Sequence, residues 1–118
     1  MKVYILGTKY EILYRKYNED KIFAEKNFSA YCNEVEKYIV VCNHKTWPGL
    51  EDNSDNYCEE LEKECLRHEI IHAFLYESGL SESAMSSNGS WATNEEMIDF
   101  FAMQFPKMLE VFRQVDAL

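Results

Sequence analysis

From Val3 to Cys42 apolar and polar positions alternate with a period of two. Val3 to Leu6, then Tyr10 to Arg15 after a Gly7-Thr8 turn, predict a β-hairpin with Tyr10, Ile12 and Tyr14 on one face. Asn18-Glu19-Asp20 ends that pattern, and Lys21 to Phe28 fits a short helix or a loop equally well. Ser29 to Asn33 and Lys37 to Cys42 read as a second strand pair around Glu34-Val35-Glu36. Tyr38-Ile39-Val40-Val41 is the most strand-like run of the chain. Two hairpins of this kind make one small, mainly antiparallel sheet.

The period then changes. His44 to Asp55 carries Pro48, Gly49 and a cluster of Asp, Asn and Ser, a loop composition. Asn56 to Ser78 has no Pro or Gly and is rich in helix formers, so a helix is predicted there, opened by Asn56-x-x-Glu59 and closed by Gly79. Its apolar positions Leu61, Leu66, Ile70, Ile71, Phe74 and Leu75 thicken toward the C-terminal half. That half is expected in the core, with the acidic first half solvated. Ser81 to Ser90 is small and polar and reads as a flexible connection. Thr93-x-x-Glu96 has capping-box spacing and predicts a second helix through Met97, Phe100, Phe101 and Met103. Pro106 cannot donate to the Ala102 carbonyl, so this helix is expected to kink or restart before Met108, Leu109, Phe112 and Val115. The expected architecture is α+β, one domain over residues 1–118.

Composition narrows the function classes. The 118 residues are 47% hydrophobic, enough for one core and too few for two domains. Twelve Lys plus Arg against 21 Asp plus Glu give a net charge of -9, which repels a phosphate backbone and argues against nucleic acid as a partner. No run approaches the roughly 20 apolar residues that cross a bilayer, and Val3 to Leu6 is too short for a signal-peptide core. No membrane partner is expected, and a cytoplasmic location is. Cys32, Cys42, Cys58 and Cys65 form no C-x-x-C pair and read as reduced thiols rather than a zinc knuckle.

The chemistry concentrates in Arg67-His68-Glu69-Ile70-Ile71-His72-Ala73-Phe74. Its core is H-E-x-x-H, and on a helix residues i and i+4 stand one above the other with Cβ atoms roughly 6 Å apart. Two imidazoles so placed can reach one ion at Zn–N distances of about 2.0 to 2.1 Å. Glu69, turned about 100° from His68, can lie beside a water on that ion, the position of a general base. A catalytic zinc needs a third protein ligand. In Asn94-Glu95-Glu96-Met97-Ile98-Asp99 the capping box ties Glu96 to Thr93 and leaves Glu95 free to face the first helix, so Glu95 is the expected ligand. Asp99 follows four residues later on the same face, placed to accept the second ring N–H of a ligating histidine. A simpler account of the acidic start, complementing the helix dipole, explains Glu95 and Glu96 but not Asp99 beside the inward-turning Phe100-Phe101.

His68-Glu69-x-x-His72 followed by Asn94-Glu95-x-x-x-Asp99 resembles the zinc-binding pattern of gluzincin metallopeptidases, including thermolysin-like enzymes. That resemblance implies Glu95 as third ligand and Asp99 as support for a ligand histidine. The Glu95 to Ala102 segment is also similar to the corresponding helix of the ImmA/IrrE family of small metallopeptidases. The strings Leu66 to Leu80 and Trp91 to Lys107 are similar to short prophage proteins. The resemblance covers roughly residues 57–107. It implies a minimal zincin, a small twisted sheet on the motif helix with a peptide or protein substrate along a sheet edge.

The expected activity is zinc-dependent peptide hydrolysis, with substrate adding to the edge of the Tyr38 to Cys42 strand. Tyr76, Tyr57, Arg67 and His44 are the candidate donors to transition-state charge, Tyr76 being equally a core or rim aromatic and His44 a loop residue. Trp91 is either a staple beside Thr93 or a wall of the substrate pocket. Cys65, one turn before His68, reads as a small buried thiol. The run Glu59, Glu60, Glu62, Glu64 reads as a solvated face or a dock for a basic partner. The alternative is a non-catalytic zinc-binding protein of phage or mobile-element origin that docks another protein, since a chain of this size leaves little surface for a cleft.

Overall fold

The computed structural model describes residues 1–82, 84 and 90–118. The chain is α+β. Strands β1 (Lys2–Ile5), β2 (Thr8–Arg15), β3 (Ala30–Asn33) and β4 (Tyr38–Cys42) form one sheet in the order β1-β2-β4-β3. Helices α1 (Lys21–Lys26), α2 (Asp55–Glu77) and α3 (Glu95–Gln114) complete the structure. The two expected hairpins are present and antiparallel, but they join through a parallel β2–β4 pair with Ile12 opposite Ile39. The sheet is therefore mixed. Leu6 and Gly7 both take positive φ, +47° and +84°, as a two-residue hairpin turn requires.

Strand β4 lies between two neighbours and is covered on both faces, so Ile39, Val40, Val41 and Cys42 are fully buried. One face, with Tyr10, Ile12, Ile39 and Val41, packs on Leu66, Ile70 and Ala73 of α2. The other, with Val40 and Cys42, packs on Phe23 of α1 and on Trp47. Tyr14, expected on one face with Tyr10 and Ile12, is exposed while those two are buried. Lys21 to Lys26 settles as a helix because Asp20 caps it, accepting from Ile22 N at 3.0 Å, Arg15 at 2.8 Å and the Tyr31 hydroxyl at 2.5 Å.

Helix α2 is capped two residues earlier than expected. Ser54, not Asn56, is its N-cap and accepts from Tyr57 N at 3.1 Å. Gly79 follows the C-terminus at φ +82°, as its position predicts. Glu77 ties this end of α2 to the sheet, accepting from Thr8 at 2.9 Å and Tyr10 at 2.7 Å and pairing with Lys37. The other half is tied by Glu62, which accepts from the His44 amide at 2.8 Å. Phe74, expected in the core, is exposed, and Ala73 and Leu75 are the buried residues of that turn.

Most of the expected flexible connection, Ser81 to Ser90, lies outside the described residues. Helix α3 is capped by Asn94, which accepts from Met97 N at 2.9 Å; the Thr93 amide instead donates to Ser90, so the Thr93–Glu96 capping box does not form. The inward residues of α3 are Ile98 and Ala102, while Phe100 is exposed. The helix neither stops nor restarts at Pro106 but continues to Gln114. The carbonyl that Pro106 leaves unpaired, that of Ala102, accepts from Arg67 Nε of α2 at 2.5 Å. No helix among the described residues is long and apolar enough to cross a membrane.

Candidate metal centre

Residues 68, 69 and 72 belong to one long helix and residues 95 and 99 to another, so the site exists only where α2 and α3 dock. Ile98, on the buried side of α3, packs into one cluster with Leu75, Ile71 and Ala92. Arg67 adds its bond to Ala102. With the helices so fixed, His68 Nε2 lies 3.0 Å from Glu95 Oε2 and His72 Nε2 lies 3.2 Å from Glu95 Oε1. The two Nε2 atoms are 3.1 Å apart. His68, His72 and Glu95 thus bring ligand atoms within 4.8 Å of one another.

Asp99 Oδ1 stands 2.8 Å from His68 Nδ1. An ionised Asp99 only accepts, so His68 carries its proton on Nδ1 and turns a lone pair at Nε2 toward His72 and Glu95. Burial lowers the proton affinity of His72, which favours a second neutral imidazole. Two imidazole nitrogens and a carboxylate then converge with at most one proton among them. This arrangement could hold a cation. The two histidines meet different oxygens of the Glu95 carboxylate, and with one atom taken from each residue the three ligand atoms lie within 4.8 Å of one another. Two imidazoles and a carboxylate are a donor set of the kind that zinc accepts.

Glu69 faces the sheet side of this cluster. Burial first, then the nearby charges of Glu95 and Glu34, push its carboxyl up to about 7, against the opposing pull of His68 and a hydrogen bond from the Cys32 backbone amide. A carboxyl that exchanges its proton near neutrality is suited to general acid–base work.

The cleft runs along β3. Two adjoining recesses of about 280 and 400 Å³ share Phe28, Ala30, His68 and Glu69. One reaches Asn27, Glu64 and Asp99, and the other reaches Cys32, Glu34, His72 and Glu95. The expected substrate edge was the Tyr38 to Cys42 strand, but β4 is internal and β3 forms the edge. Cys42 N donates to the Ser29 carbonyl at 2.8 Å, which sets the alternation of the ladder. Ser29 and Tyr31 therefore face β4, while Ala30 and Cys32 turn their backbone groups to the open edge beside Glu69.

The structure brings His68, Glu69, His72, Glu95 and Asp99 together. It does not bring the other candidates to them. His44 is buried beneath α2, its Nδ1 2.9 Å from the Cys42 carbonyl and its Nε2 3.8 Å from Cys65 Sγ. Tyr76 lies under the Lys37 ammonium, 4.8 Å from its ring centre, at the Glu77 end of α2. Trp91 lines a separate depression with Met97 and Phe100. Tyr57 is exposed in the first turn of α2, and Arg67 is engaged with Ala102. Phe28 and Glu34 line the cleft without having been singled out in the sequence, and Glu64, read there only as part of an acidic helix face or a dock for a basic partner, lines it too. Glu64 precedes His68 by four residues and so shares its helix face, a signal available in the spacing. Glu34 lies in the β3–β4 turn and carries no such signal. All four cysteines are free thiols.

No protein-family model, curated protein or solved structure matches this chain.

Proposed function

We propose that the chain is a zinc-dependent peptidase, with His68, His72 and Glu95 as metal ligands and Glu69 as general base. The observation that carries this reading is the meeting of three ligand atoms within 4.8 Å beside the half-buried Glu69 carboxyl and an open strand edge. Zinc bound there would supply Lewis acidity toward a peptide carbonyl and toward the attacking water. Glu69 takes a proton from that water at a carboxylate oxygen and passes it to the departing amine. Asp99 holds the His68 tautomer. The outward groups of Ala30 and the Cys32 carbonyl offer the substrate backbone hydrogen bonds along β3. The architecture is read as a minimal zincin-like fold, and the four thiols suit a reducing, cytoplasmic setting.

The purified protein is expected to take up about one zinc per chain. Glu69→Gln keeps the metal and His68→Ala loses most of it, and both lose peptide cleavage. Failure of the wild type to bind zinc at micromolar concentration overturns the proposal. The docking alternative, a zinc-binding protein without hydrolytic activity, draws on an apolar groove between α2 and α3 lined by Ile70, Ile71, Phe74, Phe101 and Phe105. Metal retention with no cleavage across a broad peptide library favours that alternative.

A further inference from the structure

Glu34 and Glu64 have no task in hydrolysis itself. Both are half-buried, they line opposite ends of the cleft, and neither has an ion-pair or side-chain hydrogen-bond partner among the described residues. No Lys or Arg lines either recess. Asp99 and Glu95 are spoken for by the histidines, so Glu34 and Glu64 are left as the uncompensated charges of the cleft. With no cationic side chain beside them, both carboxylates are open to a cationic ligand.

Their spacing matches an extended chain. Helix α2 and strand β3 run side by side, with Glu64 near Asn27 at one end and His72 near Glu34 at the other. Two helical turns from Glu64 to His72 cover about 12 Å. A strand advances about 3.3 Å per residue, so about four residues of peptide span the cleft. His68 and Glu69 line both recesses and mark its middle. Each free carboxylate therefore lies about two residues to one side of the bond held above Glu69. Phe28, exposed and common to both recesses, offers an apolar contact between them.

We infer that this cleft selects basic peptides, Glu34 and Glu64 each pairing with a Lys or Arg side chain of a segment laid along β3, one on either side of the reacting bond. The inference rests on the peptidase reading for its chemistry but not for its recognition step, since both carboxylates lie outside the metal cluster.

The test uses labelled octapeptides differing only in Lys, Gln or Glu at the second position on each side of the centre. Binding is read by fluorescence anisotropy on metal-free Glu69→Gln protein, and cleavage on zinc-loaded wild type. Lys peptides are expected to bind about 10-fold more tightly than Glu peptides at low salt, with the preference shrinking as ionic strength rises. Glu34→Gln and Glu64→Gln should each erase the preference on one side only, and Glu34→Lys should reverse it there. Thermal melting checks each variant's fold, and Glu64→Gln carries the test alone if the Glu34 variants do not fold. Equal binding of the three peptides, or no binding of any, overturns the inference. Lys-selective binding without cleavage of any peptide leaves it standing and overturns the peptidase reading instead.

Discussion

The bond from Arg67 to the Ala102 carbonyl makes a sharp energetic prediction, because the chain contains the means to undo it. Pro106 lacks the amide hydrogen that would pair with Ala102, and Ala102 is 1% exposed, so water cannot easily take its place. Arg67→Met keeps the length and apolar stem of the side chain but removes the donor. A buried acceptor left unpaired costs about 1 to 3 kcal/mol. Near 2 kcal/mol, the melting temperature of a domain of this size should fall by roughly 6 to 12 °C. In a Pro106→Ala background the new amide at 106 can donate to Ala102, and the same Arg67→Met change should cost less than about 1 kcal/mol. The four proteins form a double-mutant cycle, to be measured by urea unfolding with a chelator present so that metal binding does not enter. A coupling of about 1 to 2 kcal/mol is expected. Additivity within about 0.5 kcal/mol would show that Arg67 does not serve this carbonyl, and with it would go the account of how α3 is held in register with α2.

Two further outcomes follow from the site. Asp99→Asn removes the carboxylate that fixes the His68 tautomer and should lower zinc affinity about 10- to 100-fold while leaving the metal-free melting temperature nearly unchanged, measurable by competition with a chromophoric chelator. Glu69 gives the metal-free protein a pH dependence: its folded carboxyl titrates near 7 against 4.5 when unperturbed, so its contribution is fully present below about 4.5 and is lost as pH rises toward 7. At about 1.4 kcal/mol per pH unit the loss is about 3.5 kcal/mol at most, and Glu69→Gln should flatten that part of the urea-unfolding profile.

Both hairpins, the two long helices and the Gly79 stop could be read from local pattern, because each depends on a period of two or of 3.6 and on one turn or cap residue. The caps themselves shifted, to Ser54 and Asn94, since neighbouring Asn, Ser and Thr side chains compete for the same orphan amides and the competition is settled by the entering backbone. The parallel β2–β4 pairing left no local trace. It decides which strand is the edge, and so the peptide-binding edge moved from Tyr38–Cys42 to β3.

The metal cluster shows the same division. His68 and His72 share a face by covalent spacing alone, and Glu95 and Asp99 share another in the same way. Which faces meet depends on Ile98 and Ala102 being the buried residues of α3, and those two positions lie between the acidic pair and the Phe101–Phe105 side around the helix. With Ile98 and Ala102 directed at α2, Glu95 and Asp99 fall on the side toward β3 and the cleft, and Phe101 and Phe105 on the opposite side, where they line the apolar groove. A rotation of α3 by one residue, about 100°, would carry both carboxylates away from the histidines. The site is therefore a consequence of core packing in α3 as much as of the H-E-x-x-H string in α2. Enlarging Ala102 should disturb metal affinity even though that residue touches no ligand.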